Sequence, residues 1–171
     1  MLEELTLPFE LIAHPSRVEL RGASSEDLAA LVRLLADDPI NASRGDVADD
    51  SDLPVYANAL ARIIDDSAND LIVAVEDDRI VATLQLTLIP GMPRRGATRL
   101  LVEAVWVAAD RRSAGIGGAM MRWVVDTAAP ALGADLVQLT SDAARADAHR
   151  FYERLGFVGT HIGFKLEVQP G

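Results

Sequence analysis

Residues 102–119 read V-E-A-V-W-V-A-A-D-R-R-S-A-G-I-G-G-A and constrain the fold more than any other stretch. Residues 100–108 are an apolar, valine-rich run interrupted only by Glu103. That pattern reads as a buried strand. Residues 109–114 form a short polar turn, followed by Gly115-Ile116-Gly117-Gly118. Ala119, Met120, Trp123, Val124 and Thr127 then recur at helical spacing. A strand, a glycine-bearing turn and a helix start make an anion cradle. The first N–H groups of a helix have no internal acceptor, and the macrodipole adds partial positive charge beside them. Glycine lets a phosphate approach that backbone with no Cβ in the way. Arg111 and Arg112 flank the turn as candidates for charge-assisted contacts.

Three phosphate-binding patterns compete for this stretch. A Walker A loop requires G-x-x-x-x-G-K-[ST], which does not occur. A dinucleotide fingerprint, G-x-G-x-x-G/A, fails because the sixth position counted from Gly115 is Met120, where close helix–strand packing demands a small residue. The third, R-x-x-G-x-G, is met by Arg112-Ser113-Ala114-Gly115-Ile116-Gly117 directly after the strand. This segment resembles the pyrophosphate loop of the GNAT acetyltransferases, which bind acetyl-coenzyme A. A second stretch, A-H-R-F-Y-E-R-L-G-F at residues 148–157, follows about thirty residues later with a strand between. Taken alone it is a helix packing an aromatic pair and leaving through a glycine turn at Gly156. In that order and spacing it resembles the second GNAT signature, whose tyrosine faces the sulfur of the cofactor. The resemblance spans residues 18–168, carried by motifs over 102–157 and by topology before them.

Composition excludes other classes. The chain has 171 residues, half of them hydrophobic, enough for one domain with a sizeable core. A formal net charge of −10 argues against nucleic acid or an anionic membrane as a bulk electrostatic partner. With no cysteine there is no disulfide, thiolate zinc site or cysteine nucleophile, and His14, His149 and His161 show no metal-binding spacing, so no metal is expected. The acidic start M-L-E-E-L is unlike a signal peptide, and no apolar run approaches a membrane span. A soluble cytoplasmic protein is the expectation.

Along the chain, residues 1–17 are an N-terminal extension or an edge strand, and 18–171 form the acetyltransferase domain. Residues 18–23 read as a strand, and Ser24-Ser25-Glu26-Asp27 as a helix cap. Leu28, Leu31, Val32 and Leu35 mark a first helix. Residues 37–54 are a polar loop carrying Asp46, Asp49, Asp50 and Asp52. Residues 55–66 are a second helix with Leu60, Ile63 and Ile64 inward. Residues 70–76 and 79–89 make a hairpin about Asp77-Asp78. After the central strand and glycine turn, a third helix runs from Ile116 towards residues 130–133. Residues 134–140 are a strand, 143–155 a fourth helix, and Val158 with 162–168 supply one or two terminal strands. The fold class is α/β (α+β): a single-domain GNAT fold with a mixed sheet of six to seven strands and about four helices.

The resemblance implies roles for particular residues. Ser113, Ala114, Gly115, Ile116, Gly117 and Gly118, with Arg112, would bind the coenzyme A pyrophosphate. Backbone near Val105, Trp106 and Val107, where this strand splays from residues 134–140, would pair with pantetheine amides. Many relatives carry asparagine three residues before the alanine of A-x-x-F-Y. Here Arg145 stands there and is a candidate phosphate contact instead. Strand alternation puts Glu103, Val105 and Val107 on one face. Glu103 is a charge in an apolar run that would be costly unpaired in a core: it is a catalytic base, a carboxylate paired with a residue such as Arg99, or a residue at a strand end open to water. An attacking amine must lose a proton, which a carboxylate takes directly or through water, and Tyr152 would protonate the leaving thiolate. The expected activity is acetyl transfer from acetyl-coenzyme A to a primary amine of a small molecule, with the acidic loop suggesting a cationic acceptor. A non-catalytic acyl-coenzyme A-binding or sensing module and a protein N-acetyltransferase are the alternatives. The acceptor's identity and the oligomeric state, a homodimer being one option, are not set by the sequence.

Overall fold

The run around Glu103 is the fifth strand of a six-stranded mixed sheet in a computed structural model that describes residues 2–13, 16–38 and 48–168. The strands are β1 (Phe9–Ala13), β2 (Ser16–Gly22), β3 (Asn69–Glu76), β4 (Arg79–Ile89), β5 (Arg99–Val107) and β6 (Leu136–Leu139). They lie side by side in chain order, antiparallel from β1 to β5, with β6 parallel to β5. Residues 9–13, left open between strand and tail by the sequence, pair with β2 along one edge.

Helices pack on both faces of the sheet, which is why β3 carries a nearly continuous apolar run. Cross-strand partners share a face. Leu20, Ile72, Leu84, Leu86, Leu100 and Val102 therefore point one way, all at most 1% exposed. The helix after the glycine turn, α3 (Ile116–Trp123), packs on that side, with the Trp123 ring 6.3 Å from Phe9. On the other face Val73 packs with Leu31 of α1 (Leu28–Ala36) and Leu60 of α2 (Leu53–Ile64).

Local signals explain the element ends. Asp77 and Asp78 both adopt left-handed φ values (48° and 61°), the geometry of a two-residue hairpin turn. Asp27 fixes the entry to α1. Its carboxylate accepts the Ser24 N–H at 2.8 Å and two bonds from the Arg21 guanidinium at 2.7 and 2.8 Å. α3 continues through a wider turn, Val124–Ala128, into Ala129–Ala131. Pro130 has no N–H to give the preceding turn, which accounts for the widening.

Two expectations are corrected. In α2 the inward stripe is Tyr56, Leu60 and Ile63, while Ile64 falls beside it and is 44% exposed. Residues 158–168 form no strand: alternation alone does not make one without a ladder partner. Their alternating apolar side chains, Ile162, Phe164, Leu166 and Val168, are each at least 82% exposed. Asp46 and His14 lie outside the described residues.

The chain divides into a larger compact unit ending at Leu139 and a smaller one beginning at Thr140. The smaller unit is built on α4 (Ala146–Arg154). No helix among the described residues is long and apolar enough to cross a membrane.

Candidate active site

The glycine turn has the geometry of an anion cradle. Gly115 caps α3 in a left-handed conformation (φ 78°, ψ −7°), where any Cβ is strained although the space beside it is open. The first helical hydrogen bond runs from the Ala119 N–H to the Gly115 carbonyl at 2.9 Å. The N–H groups of Ile116, Gly117 and Gly118 precede it and lack a helical acceptor. Ser113 is also left-handed (φ 64°), and the exposed Arg112 donates its Nε–H to the Val107 carbonyl at 3.3 Å, tying the loop to the end of β5.

Arg111 does not stand ready for an anion as the sequence suggested. Its Nε–H donates to Glu76 at 2.6 Å, and Asp110 sits on the same guanidinium while receiving a two-pronged bond from Arg79 at 2.7 Å. Glu76 is only 14% exposed, so a hydrogen-bonded cation is what keeps it charged there. The Arg111 hydrogen bond, with a second from Ser16, holds that carboxyl below its ordinary range.

β5 does not alternate evenly through the site. Val102 pairs with Leu86 and Glu103 with Gln85, but the next registered pair is Trp106 with Thr83. Two residues, Ala104 and Val105, oppose Leu84 alone, and Ala104 takes φ 49°. This is a β-bulge. It corrects the expected face: Glu103 shares its side with Trp106, while Val102 and Val107 point the other way. A strained non-glycine residue at a bulge is a feature that clusters at functional sites.

The bulge coincides with a parting of strands. β6 pairs with β5 only from Arg99 to Val102. From Glu103 to Val107 the edge of β5 that continues past β6 pairs with no strand among the described residues, leaving backbone N–H and C=O groups unclaimed by a ladder. Glu103 is exposed, so its charge needs no buried partner, and Arg99 donates to Gln138 at 3.2 Å rather than to Glu103.

Around Glu103 the sheet face is polar in a way the sequence reading missed. Gln85 lies directly across from it, and Thr87 and Asn69 follow on the same face. Asn69 Oδ1 accepts from Gln85 Nε2 at 3.0 Å and from the Thr87 hydroxyl at 2.6 Å, while its Nδ2 donates to Asp66 at 2.8 Å. The signal was present in T-L-Q-L-T, whose polar residues alternate inside a strand flanked by others. It becomes readable only with the register to Glu103 in hand.

In the smaller unit, α4 ends in the expected glycine turn: Gly156 has φ 90° and the Phe157 N–H returns to the Tyr152 carbonyl at 3.1 Å. Tyr152 is half-buried, edge-on to Phe151 (5.0 Å between centroids) and Phe157 (6.0 Å). Its hydroxyl has no hydrogen-bond partner among the described residues. Burial raises its pKa, opposed in part by the positive charge of Arg145. The group therefore keeps its proton through neutral pH.

Comparison with known proteins follows this geometry. The profile of the Acetyltransferase (GNAT) family matches residues 28–157. A Bacillus halodurans C-125 protein described as a transcriptional regulator is 38% identical, with a TM-score of 0.83 over 88% of this chain and 99% of that one. A protein of Agrobacterium tumefaciens str. C58 assigned as an acetyltransferase is 28% identical, with a TM-score of 0.72 over 87% and 99%. An aminoalkylphosphonate N-acetyltransferase of Salmonella typhimurium is 35% identical over 63 residues, covering 37% of this chain and 40% of that protein.

Proposed function

The chain belongs to the GNAT family of acetyltransferases, and from that membership we propose that it transfers acetyl from acetyl-coenzyme A to the primary amine of a small molecule. One observation carries the reading: a left-handed glycine turn opens α3 directly after a strand whose last five residues are not paired by β6. Pyrophosphate would sit on the N–H groups of Ile116, Gly117 and Gly118, with Ser113, Ala114 and Gly115 shaping the loop and Arg112 adding charge. The backbone of Val105, Trp106 and Val107 would take the pantetheine amides, and Arg145 would assist a phosphate. Glu103, exposed beside the bulge, takes the proton that the ammonium must lose. The freed lone pair then forms the new C–N bond at the thioester carbonyl carbon. As the C–S bond breaks, Tyr152 supplies the proton that the departing thiolate takes up. The Salmonella relative, which acts on an aminoalkylphosphonate, supports a small amine acceptor.

Release of free thiol from acetyl-coenzyme A, followed across a panel of primary amines and checked by mass of the acetylated product, tests this. Amine-dependent release with product is expected. Coenzyme A binding without turnover of any amine would overturn it. That outcome would instead establish the second reading, an acyl-coenzyme A sensor, which the description of the Bacillus relative favours.

A further inference from the structure

The strip Asp66–Asn69–Gln85–Glu103 runs from the surface to the bulge and has a fixed hydrogen-bond polarity. An ionised carboxylate can only accept. Asp66 Oδ2 therefore requires the NH2 side of Asn69, at 2.8 Å. That turns Asn69 Oδ1 towards the sheet, where it accepts from both Thr87 and Gln85. Gln85 must then present Nε2 to Asn69, so its Oε1 is the end left over. No other assignment of either amide satisfies the same contacts. Gln85 is the registered cross-strand partner of Glu103. Side chains of such a pair stand roughly 5 Å apart at Cβ.

Gln85 and Glu103 are thus registered neighbours on one sheet face, each with a side-chain acceptor to offer, one neutral and one anionic. Among the described residues neither Gln85 Oε1 nor the Glu103 carboxylate receives a hydrogen bond. Both accept only at these atoms, so a group that bridges them must bring more than one N–H or O–H donor. A primary ammonium carries three. A hydroxyl brings one and would leave the second acceptor unmet.

We propose that Gln85 Oε1 and the Glu103 carboxylate form the binding site for the ammonium group of the acceptor, with Asn69 as the positioning residue that fixes the Gln85 amide. The proposal rests on the acetyltransferase reading and names the side chain that selects a primary amine. It also gives Glu103 its proton: the ammonium is bound through N–H groups, one of which points at the carboxylate that removes it. Thr87 acts with Asn69, since its hydroxyl supplies the second donor to Oδ1.

The test uses the whole chain and two probes of equal charge, n-propylammonium and tetramethylammonium. The side-chain amide signals of Gln85 in nitrogen-15 spectra should shift saturably with n-propylammonium and stay in place with tetramethylammonium, which has no N–H. Gln85→Leu should raise KM for the best amine found by thiol release at least tenfold, with kcat within about threefold and coenzyme A affinity unchanged. Asn69→Ala should raise KM in the same sense by less. Identical shifts with both cations, or an unchanged KM in a folded Gln85→Leu protein, would overturn the proposal. Absence of any acetyl transfer would remove the parent reading, yet the spectral titration would still decide whether the ammonium site exists.

Discussion

In the proposed mechanism Tyr152 acts through its protonation state. Tyr152 is kept protonated by burial, with the charge of Arg145 working against that. Because its value is raised above the ordinary tyrosine pKa of about 10, its proton is lost only on the alkaline side of that point. A falling limb in kcat attributable to Tyr152 should therefore be absent below about pH 10. Tyr152→Phe should lower kcat about 100-fold, the lower end of general-acid effects, while coenzyme A affinity changes little. Unchanged kcat with reduced thermal stability would make the ring a packing element between Phe151 and Phe157 and nothing more. Asp27 acts on stability instead. It is 8% exposed, and the Arg21 hydrogen bonds, the largest influence, hold its carboxyl below the usual range. Asp27→Ala removes the helix cap and the carboxylate partner of the partly exposed Arg21, and urea denaturation should register a loss of about 1–2 kcal/mol.

At the scale of elements, the strand–turn–helix unit is legible in the sequence, because valine-rich runs, paired glycines and helical spacing are local signals. The hairpin at Asp77-Asp78 and the glycine exit of α4 are legible for the same reason. The bulge is not. A left-handed residue in mid-strand normally announces itself as glycine, and here it is Ala104, inside an apolar run that reads as simple alternation. The polar strip at Asn69, Gln85 and Thr87 was hidden too, since three residues on two strands become one feature only through register. The terminal apolar alternation at residues 162–168 misled in the opposite direction, a pattern without a partner strand. The bulge supports a prediction of its own: Ala104→Gly relieves a backbone strained by about 1–2 kcal/mol, and Ala104→Val adds to that strain. Thermal melting should place the glycine variant above the parent and the valine variant below it. The reverse order would mean that φ at this position is not what limits β5.

For the molecule as a whole, the two least exposed of the four depressed carboxylates set the acid limit. Asp27 and Glu76 each have an arginine hydrogen bond as the main cause, and groups lowered on folding contribute stability above their unfolded values of about 3.9 and 4.3. That contribution is lost as pH falls through the folded values, so the urea midpoint should hold from pH 7 to about 5 and decline below about 4. A decline beginning near pH 6 would point to histidine instead. The net charge of −10 supports a further prediction: under the proposed activity, KM for a cationic amine should rise with ionic strength as the attraction is screened, and a KM independent of salt would contradict it. Beneath both lies the claim that the backbone opening α3 holds coenzyme A. Calorimetric titration with coenzyme A, comparing the parent with Gly117→Glu and Arg112→Ala, tests it most directly. The account predicts one site per chain, at least tenfold weaker in Gly117→Glu, where a carboxylate enters the cradle, and weakened less in Arg112→Ala. Equal affinity in the parent and Gly117→Glu would contradict it.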